Sequence, residues 1–243
     1  MKDTILFGDC RETLSQIDEK VRMCVTSPPY YGLRNYGDES NQIGQEDTPE
    51  EYIQNLVNIF RSVRNCLSDD GTLWVNIGDS YYNYRPGKGQ ALVKQTVSAT
   101  KQDLPDKCAR RGNKLEGLKE KDLIGIPWML AFALRADGWY LRQDIIWNKS
   151  NPMPESVRDR CTKSHEYMFL LSKSQNYYFD VDVIKEPTRR KRSVWNVSTK
   201  PYKGSHFAVF PPELITPCIL ASSEENDIIL DPFMGSGTTA MVA

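Results

Sequence analysis

Histidine is scarce in this 243-residue sequence: His165 and His206 are the only two. So few leave little room for general-base chemistry on imidazole, and a Ser-His-Asp triad is not expected. The six cysteines, Cys10, Cys24, Cys66, Cys108, Cys161 and Cys218, include no Cys-x-x-Cys pair. They read as reduced structural thiols, and no metal is expected. No apolar run approaches the ~18–20 residues of a membrane span. The opening Met1-Lys2-Asp3-Thr4-Ile5-Leu6-Phe7 lacks the apolar stretch of a signal peptide. The expectation is a soluble, cytoplasmic protein. Net charge is nearly absent, −1 from 31 Lys and Arg against 32 Asp and Glu. Bulk charge therefore does not announce a nucleic-acid partner.

What is present is an ordinary globular composition, 40% apolar and 26% charged. A chain of this size buries a sizeable core without disulfides. One domain over 1–243 is expected, with an α/β pattern. Thr4-Ile5-Leu6-Phe7 reads as a short strand and Cys10 to Glu19 as a helix with Leu14 and Ile17 on one face. Val21 to Thr26 reads as a second strand. Thr48-Pro49-Glu50-Glu51 starts a helix whose apolar face is Tyr52, Leu56, Ile59, Phe60 and Val63. Asp69-Asp70-Gly71 closes that unit, and Thr72 to Ile77 is the next strand. This is the βαβ rhythm of a parallel sheet. Ile126 to Arg135 reads as a helix and Leu141 to Trp147 as a strand. Glu166 to Leu171 and Tyr177 to Phe179 read as a β-hairpin joined by Ser172–Asn176. Pro211-Pro212 opens a helix, and Asp227 to Leu230 is a buried strand.

Two stretches are basic. Residues 82–120, rich in Lys, Gly and Asn, read as an exposed, mobile insertion, with Lys107, Arg110, Arg111 and Lys114 in its basic part. The second is 183–205, with Arg189, Arg190, Lys191 and Arg192. Such runs are either solvated loops or phosphate contacts.

Two motifs carry chemistry. Asp231-Pro232-Phe233-Met234-Gly235-Ser236-Gly237-Thr238-Thr239 follows a strand and opens a helix. Glycines let a ligand approach the backbone there, as at nucleotide sites of doubly wound folds. It lacks the third Gly of the dinucleotide fingerprint and the Gly-Lys-Ser/Thr of a phosphate loop, which argues against NAD and ATP. Alone it also reads as a tight strand-to-helix turn. Ser27-Pro28-Pro29-Tyr30 sits at another strand's carboxyl end. Its prolines remove N–H donors and leave a stiff loop with outward carbonyls. A planar amine, accepted by the Ser27 hydroxyl and the Pro28 carbonyl and stacked on Tyr30, fits this chemistry. A structural turn fits it too.

Taken together, in this order, the motifs resemble the β-type DNA amino-methyltransferases of the N4-cytosine and N6-adenine family. The resemblance covers nearly the whole chain, including the Gly8-Asp9 turn and the approach His206 to Pro211. It implies a Rossmann-like S-adenosylmethionine-dependent methyltransferase fold with permuted motif order, a mostly parallel sheet, a β-hairpin and a basic insertion. It implies S-adenosyl-L-methionine as cofactor, held by Asp231, Pro232, Phe233, Gly235, Ser236, Gly237, Thr238 and Thr239, with Phe207 and Pro211 lining the methionine side. It implies catalytic roles for Ser27, Pro28, Pro29 and Tyr30 on a base flipped out of double-stranded DNA. Ser at the first tetrapeptide position goes mostly with N4-cytosine, so N4-cytosine is expected, with N6-adenine as the alternative. An inactive DNA-binding fragment, or one half of a split enzyme, is the alternative of another class. A cognate restriction endonuclease is the usual partner of such enzymes. In this architecture an acid about 20 residues past the Gly turn holds the ribose. That falls beyond Ala243, so the expectation is a truncated gene product or a chain that needs complementation by another segment.

Overall fold

The computed structural model describes residues 4–33, 42–82, 115–200 and 210–243. Its centre is a six-stranded sheet. The strands are β1 (Val21–Thr26), β2 (Leu67–Ile77), β3 (Tyr140–Asn148), β4 (His165–Ser172), β5 (Val194–Asn196) and β6 (Ile229–Leu230). Their order is β5-β3-β4-β2-β1-β6. β1 pairs in parallel with both β2 and β6, and β3 with β5. β4 alone runs the other way, antiparallel to β2 and β3. The carboxyl ends of the five co-directional strands, and the amino end of β4, therefore share one edge of the sheet.

Alternation along the strands builds two cores. Cys24, Leu73, Val75, Phe169 and Leu171 face one side, while Met23, Val25, Trp74, Met168 and Leu170 face the other. Side chains apolar on both faces are what a sheet covered on both sides requires. The first face is covered by α2 (Pro49–Cys66) and α3 (Ile126–Ala136), the second by α4 (Pro212–Ser222). α2 starts where the sequence places it. Thr48 accepts from the Glu51 N–H at 3.2 Å, and the Glu51 carboxylate accepts from the Thr48 N–H at 3.3 Å. This reciprocal cap satisfies two donors that the first turn would otherwise leave open. Leu56, Phe60 and Val63 are then fully buried.

Several expectations change. Residues 4–7 form no strand. Phe7 is 90% exposed, and nothing among the described residues pairs with this stretch in the sheet. The helix expected over Cys10 to Glu19 is one α turn, α1 (Cys10–Thr13), followed by a 3₁₀ turn over Leu14–Gln16 that ends as Ile17 turns extended. Asp69-Asp70-Gly71 does not close a unit but lies inside β2, where the register against β1 shifts. The hairpin is absent. Tyr177–Phe179 is irregular, with the Tyr178 N–H donated to the Asp70 carbonyl and Phe179 stacked on Trp74. β4 instead takes β2 and β3 as its partners, so both its edges are already paired. The strand expected at Asp227–Leu230 is two residues long and half-buried, because among the described residues it has a neighbour on one side only.

Residues 83–114 and 201–209 lie outside the described residues, and with them the expectations for most of the insertion, for Lys107, Arg110, Arg111 and Lys114, and for Phe207. The two ends of the insertion meet. The Tyr82 N–H donates to the Asp122 carbonyl and the Lys121 N–H to the Tyr82 carbonyl, each at 2.8 Å. No helix among the described residues is long and apolar enough to cross a membrane.

Candidate active site

β1 ends at Thr26, and the chain passes directly into Ser27-Pro28-Pro29-Tyr30. β6 ends at Leu230 and passes directly into the Gly turn. Because β1 and β6 are adjacent and parallel, the two sequence motifs emerge side by side. A buried clasp joins them. The Thr26 hydroxyl donates to Asp231 Oδ1 at 2.5 Å, the Thr239 hydroxyl donates to Asp231 Oδ2 at 2.6 Å, and the Phe233 N–H donates to Oδ1 at 3.0 Å. Burial pushes the Asp231 carboxyl above its ordinary value, against the pull of those three donors. Asp231 and Thr239 thus hold the two loops together, and their polar atoms are already partnered. Thr238 is buried beside them, its hydroxyl 3.3 Å from that of Ser236. Phe233 meets Phe60 of α2 edge-on, with ring centroids 6.5 Å apart. Pro211 is buried at the start of α4, where its carbonyl accepts from the Leu214 N–H.

The turn itself is bare. Gly235 and Gly237 adopt φ of +53° and +82°, a region that favours glycine. Nothing lies within 4 Å of where a side chain on Gly237 would start. Open backbone at the carboxyl edge, next to the Ser27 loop, fits a nucleoside-type cofactor.

The tetrapeptide is fixed from several sides. The Tyr52 hydroxyl of α2 donates to the Pro29 carbonyl at 2.8 Å. The Tyr30 hydroxyl donates to Glu166 Oε2 at 2.7 Å and lies 3.2 Å from Asn76 Oδ1. Asn76 Nδ2 donates to the Tyr167 carbonyl at 3.1 Å. Lys149 pairs with the other oxygen of Glu166. Burial pushes the Tyr30 phenol well up, and the Glu166 charge adds to it. The ring edge is set by Gly78, since a Cβ there would fall 2.7 Å from Tyr30 Cε2. Gly78→Ala is therefore expected to displace the ring. Turnover should fall about tenfold or more, while the fold loses only about 1–3 kcal/mol from overpacking. Steady-state kinetics beside urea denaturation checks this, and unchanged turnover would remove the ring from the site.

Asn76, Gly78, Glu166 and Lys149 escaped the sequence reading. A signal existed in part: Asn76 interrupts an apolar strand at its carboxyl end. Next to it, Asp79 caps α3 by accepting from the Gly125 and Ile126 N–H groups, at 3.0 and 3.1 Å from Oδ1. Nothing in the spacing tied Glu166 to Tyr30. The basic loop is not brought to the tetrapeptide. It leads into β5 from the amino end, Arg189 pairs with Glu186, and Lys191 lies over the Trp195 ring. Arg190 and Arg192 are exposed. No His, Cys, Asp and Glu grouping among the described residues could hold a metal ion.

A bare Gly turn and a Ser-Pro-Pro-Tyr loop on adjacent parallel strands, one face of the sheet under α2 and α3, define a methyltransferase fold of the S-adenosylmethionine-dependent class. The family model described as DNA methylase, of the N6/N4 type, matches residues 21–243. The chain belongs to that family. It is 52% identical over 251 residues to the Type II methyltransferase M.SmaI of Serratia marcescens, covering 98% of this chain and 81% of that protein. It is 51% identical over 245 residues to M.Cfr9I of Citrobacter freundii, covering 98% and 79%. Among solved structures, the cytosine-N4-specific PvuII DNA methyltransferase superposes with a TM-score of 0.70 at 19% identity, over 98% of this chain and 76% of that one. TTHA0409 of Thermus thermophilus, solved in complex with S-adenosyl-L-methionine, superposes at 0.63 with 23% identity, over 97% and 81%.

Proposed function

We propose that this chain methylates the exocyclic N4 amine of cytosine at a specific site in double-stranded DNA. The observation that carries the reading is the Ser27 hydroxyl, set at the end of β1 by two prolines and adjacent to the bare Gly turn. S-adenosylmethionine supplies the methyl group when bound. Phe233, Gly235, Ser236 and Gly237 would hold it through the turn backbone, with Pro211 and Phe207 on its methionine side. Asp231, Pro232, Thr238 and Thr239 keep that turn in place.

The chain's own part is positional. An amine conjugated with its ring is a poor nucleophile. Ser27 Oγ and the Pro28 carbonyl accept its hydrogens, which favours the pyramidal form and frees the lone pair. Tyr30, its hydroxyl tethered by Glu166, presents a flat face for the flipped base. This is orientation and electrostatics rather than a covalent enzyme intermediate. The two histidines and the buried thiols Cys24 and Cys218, held protonated by burial, have no part in it. The Ser at the head of the tetrapeptide and the fold shared with a cytosine-N4-specific enzyme support cytosine over adenine. The Type II names of its relatives support a paired restriction endonuclease as partner. Lys107, Arg110, Arg111 and Lys114 in the insertion are the proposed phosphate and base contacts, with Arg189, Arg190, Lys191 and Arg192 proposed as phosphate contacts away from the target base.

Nucleoside mass spectrometry after incubation with DNA and methyl-labelled S-adenosylmethionine is expected to show N4-methyldeoxycytidine. Labelled N6-methyldeoxyadenosine would move the target to adenine. No labelled nucleoside would leave an inactive fragment or an enzyme needing another segment.

A further inference from the structure

The connection from β3 to β4, residues 149–164, leaves and rejoins the sheet at the same edge as the Ser27 loop. It is tied down along its length. The Lys149 N–H donates to the Ser164 carbonyl at 2.8 Å, closing its base. Asn151 exchanges three hydrogen bonds with Thr199: Nδ2 donates to the carbonyl at 3.0 Å, and Oδ1 accepts from the N–H at 2.8 Å and from the hydroxyl at 3.1 Å. Arg160 pairs with Glu155 and lies 3.8 Å over the Tyr81 ring. Lys121 pairs with Asp159 at 2.6 Å. At the loop's base, Lys149 pairs with Glu166, whose other oxygen accepts from the Tyr30 hydroxyl.

On this anchored frame one apolar side chain stands out. Met153 is 83% exposed, between Pro152 and Pro154. Single exposed apolar residues are ordinary on protein surfaces. This one differs in its setting. The flanking prolines fix the backbone on both sides, the Asn151–Thr199 bonds hold the loop directly before them, and the next exposed apolar residue along is Val157. The chain thus holds an unbranched apolar side chain out from the rim of the site that must receive an extruded base. Flipping leaves a gap in the duplex, and DNA-binding proteins fill or pry open such steps with Met, Leu, Ile, Phe or Pro.

We propose that Met153 is a wedge that enters the DNA stack beside the flipped nucleotide, making the Asn151–Pro154 tip a DNA contact separate from the basic loops. The wedge presupposes the DNA methyltransferase reading above. Its role is to lower the cost of extrusion, so its effect depends on how firmly the target base is paired. Pairing strength is the variable that separates it from a general DNA contact.

The test uses the full chain and a synthetic duplex carrying the site mapped from the wild-type methylation product. A second duplex is identical but has the target base mispaired. Met153→Gly is expected to lower kcat/KM on the paired duplex by roughly tenfold to a hundredfold, matching a lost contribution to unpairing. On the mispaired duplex it should come within about threefold of wild type, since the base is already loose. Met153→Leu should keep most of the paired-duplex activity. 2-Aminopurine at the target position should brighten with wild type and less with Met153→Gly. Equal loss on both duplexes, or no loss on either, overturns the wedge while leaving the methyltransferase reading in place. A wild-type chain that methylates no DNA, so that no site can be mapped, overturns that reading, and the wedge with it.

Discussion

Ser27→Ala is expected to lower single-turnover methylation by about a hundredfold while S-adenosylmethionine affinity stays within about twofold. The size follows from removing one preorganised polar group aimed at the reacting atom, which typically costs about 10²–10³ in rate. The selectivity follows from the architecture. Ser27 is the first residue past a strand whose Cys24, Val25 and Thr26 are completely buried, so its backbone cannot relax far. Behind it, Pro29 is held by Tyr52 and Tyr30 by Glu166. Losing the hydroxyl removes one hydrogen bond to Tyr30, but the Glu166 tether and the Tyr52 bond remain to hold the loop and the ring. What disappears is an acceptor for an amine hydrogen. Rapid-quench methylation rates beside calorimetric titration of the cofactor separate the two effects. A parallel loss of both would mean that Ser27 shapes the cofactor site, and the proposed role would be wrong.

Asp231→Ala is expected to cost about 3 kcal/mol of stability and to abolish cofactor binding. Three donors converge on this carboxylate, and two of them, the hydroxyls of Thr26 and Thr239, belong to buried residues. Each buried donor left without an acceptor costs about 1–3 kcal/mol, partly recovered where Thr239 can turn to the Val25 carbonyl 3.4 Å away. The clasp also sets the distance between the β1 and β6 loops, so its loss loosens the Gly turn. Asp231→Asn should behave differently. Its amide oxygen still accepts from Thr26 and Phe233, and it carries no buried charge.

The pH dependence gives this pair a sign. Burial raises the folded carboxyl above the ordinary 3.8, so the folded chain holds the proton more tightly than the unfolded one. That contribution is fully present below the ordinary value and is lost as pH rises through the raised folded value. Wild-type stability should therefore carry a declining component above pH 3.8 that Asp231→Asn lacks. Urea denaturation of both variants across acidic pH checks it. An Asp231→Ala chain as stable as wild type, or identical pH slopes for wild type and Asp231→Asn, would count against the clasp.

Much of the site is legible in the sequence. The strand-to-loop transitions at Thr26–Ser27 and Leu230–Asp231 were readable because apolar alternation stops where Pro and Gly begin. The start of α2 was readable because a cap is a local arrangement among Thr48, Pro49 and Glu51. The expectations that failed were those needing a partner. Thr4 to Phe7 has strand composition but does not join the six-stranded sheet. Tyr177 to Phe179 looked like the second half of a hairpin, yet both edges of β4 were already taken by β2 and β3.

The sequence by itself determined β1, β3, β4 and the second half of β2, the main helices, the two motifs and their order, and so the family. These depend on side-chain patterns within a few residues of one another, which propensity and periodicity encode. Only the tertiary structure decided what holds the motifs in register. The Tyr30 hydroxyl meets Glu166 across 136 positions, and Thr26 meets Asp231 across 205. No local pattern marks such pairs, because their approach is set by which strands lie side by side, and that is settled by burying both faces of the whole sheet at once.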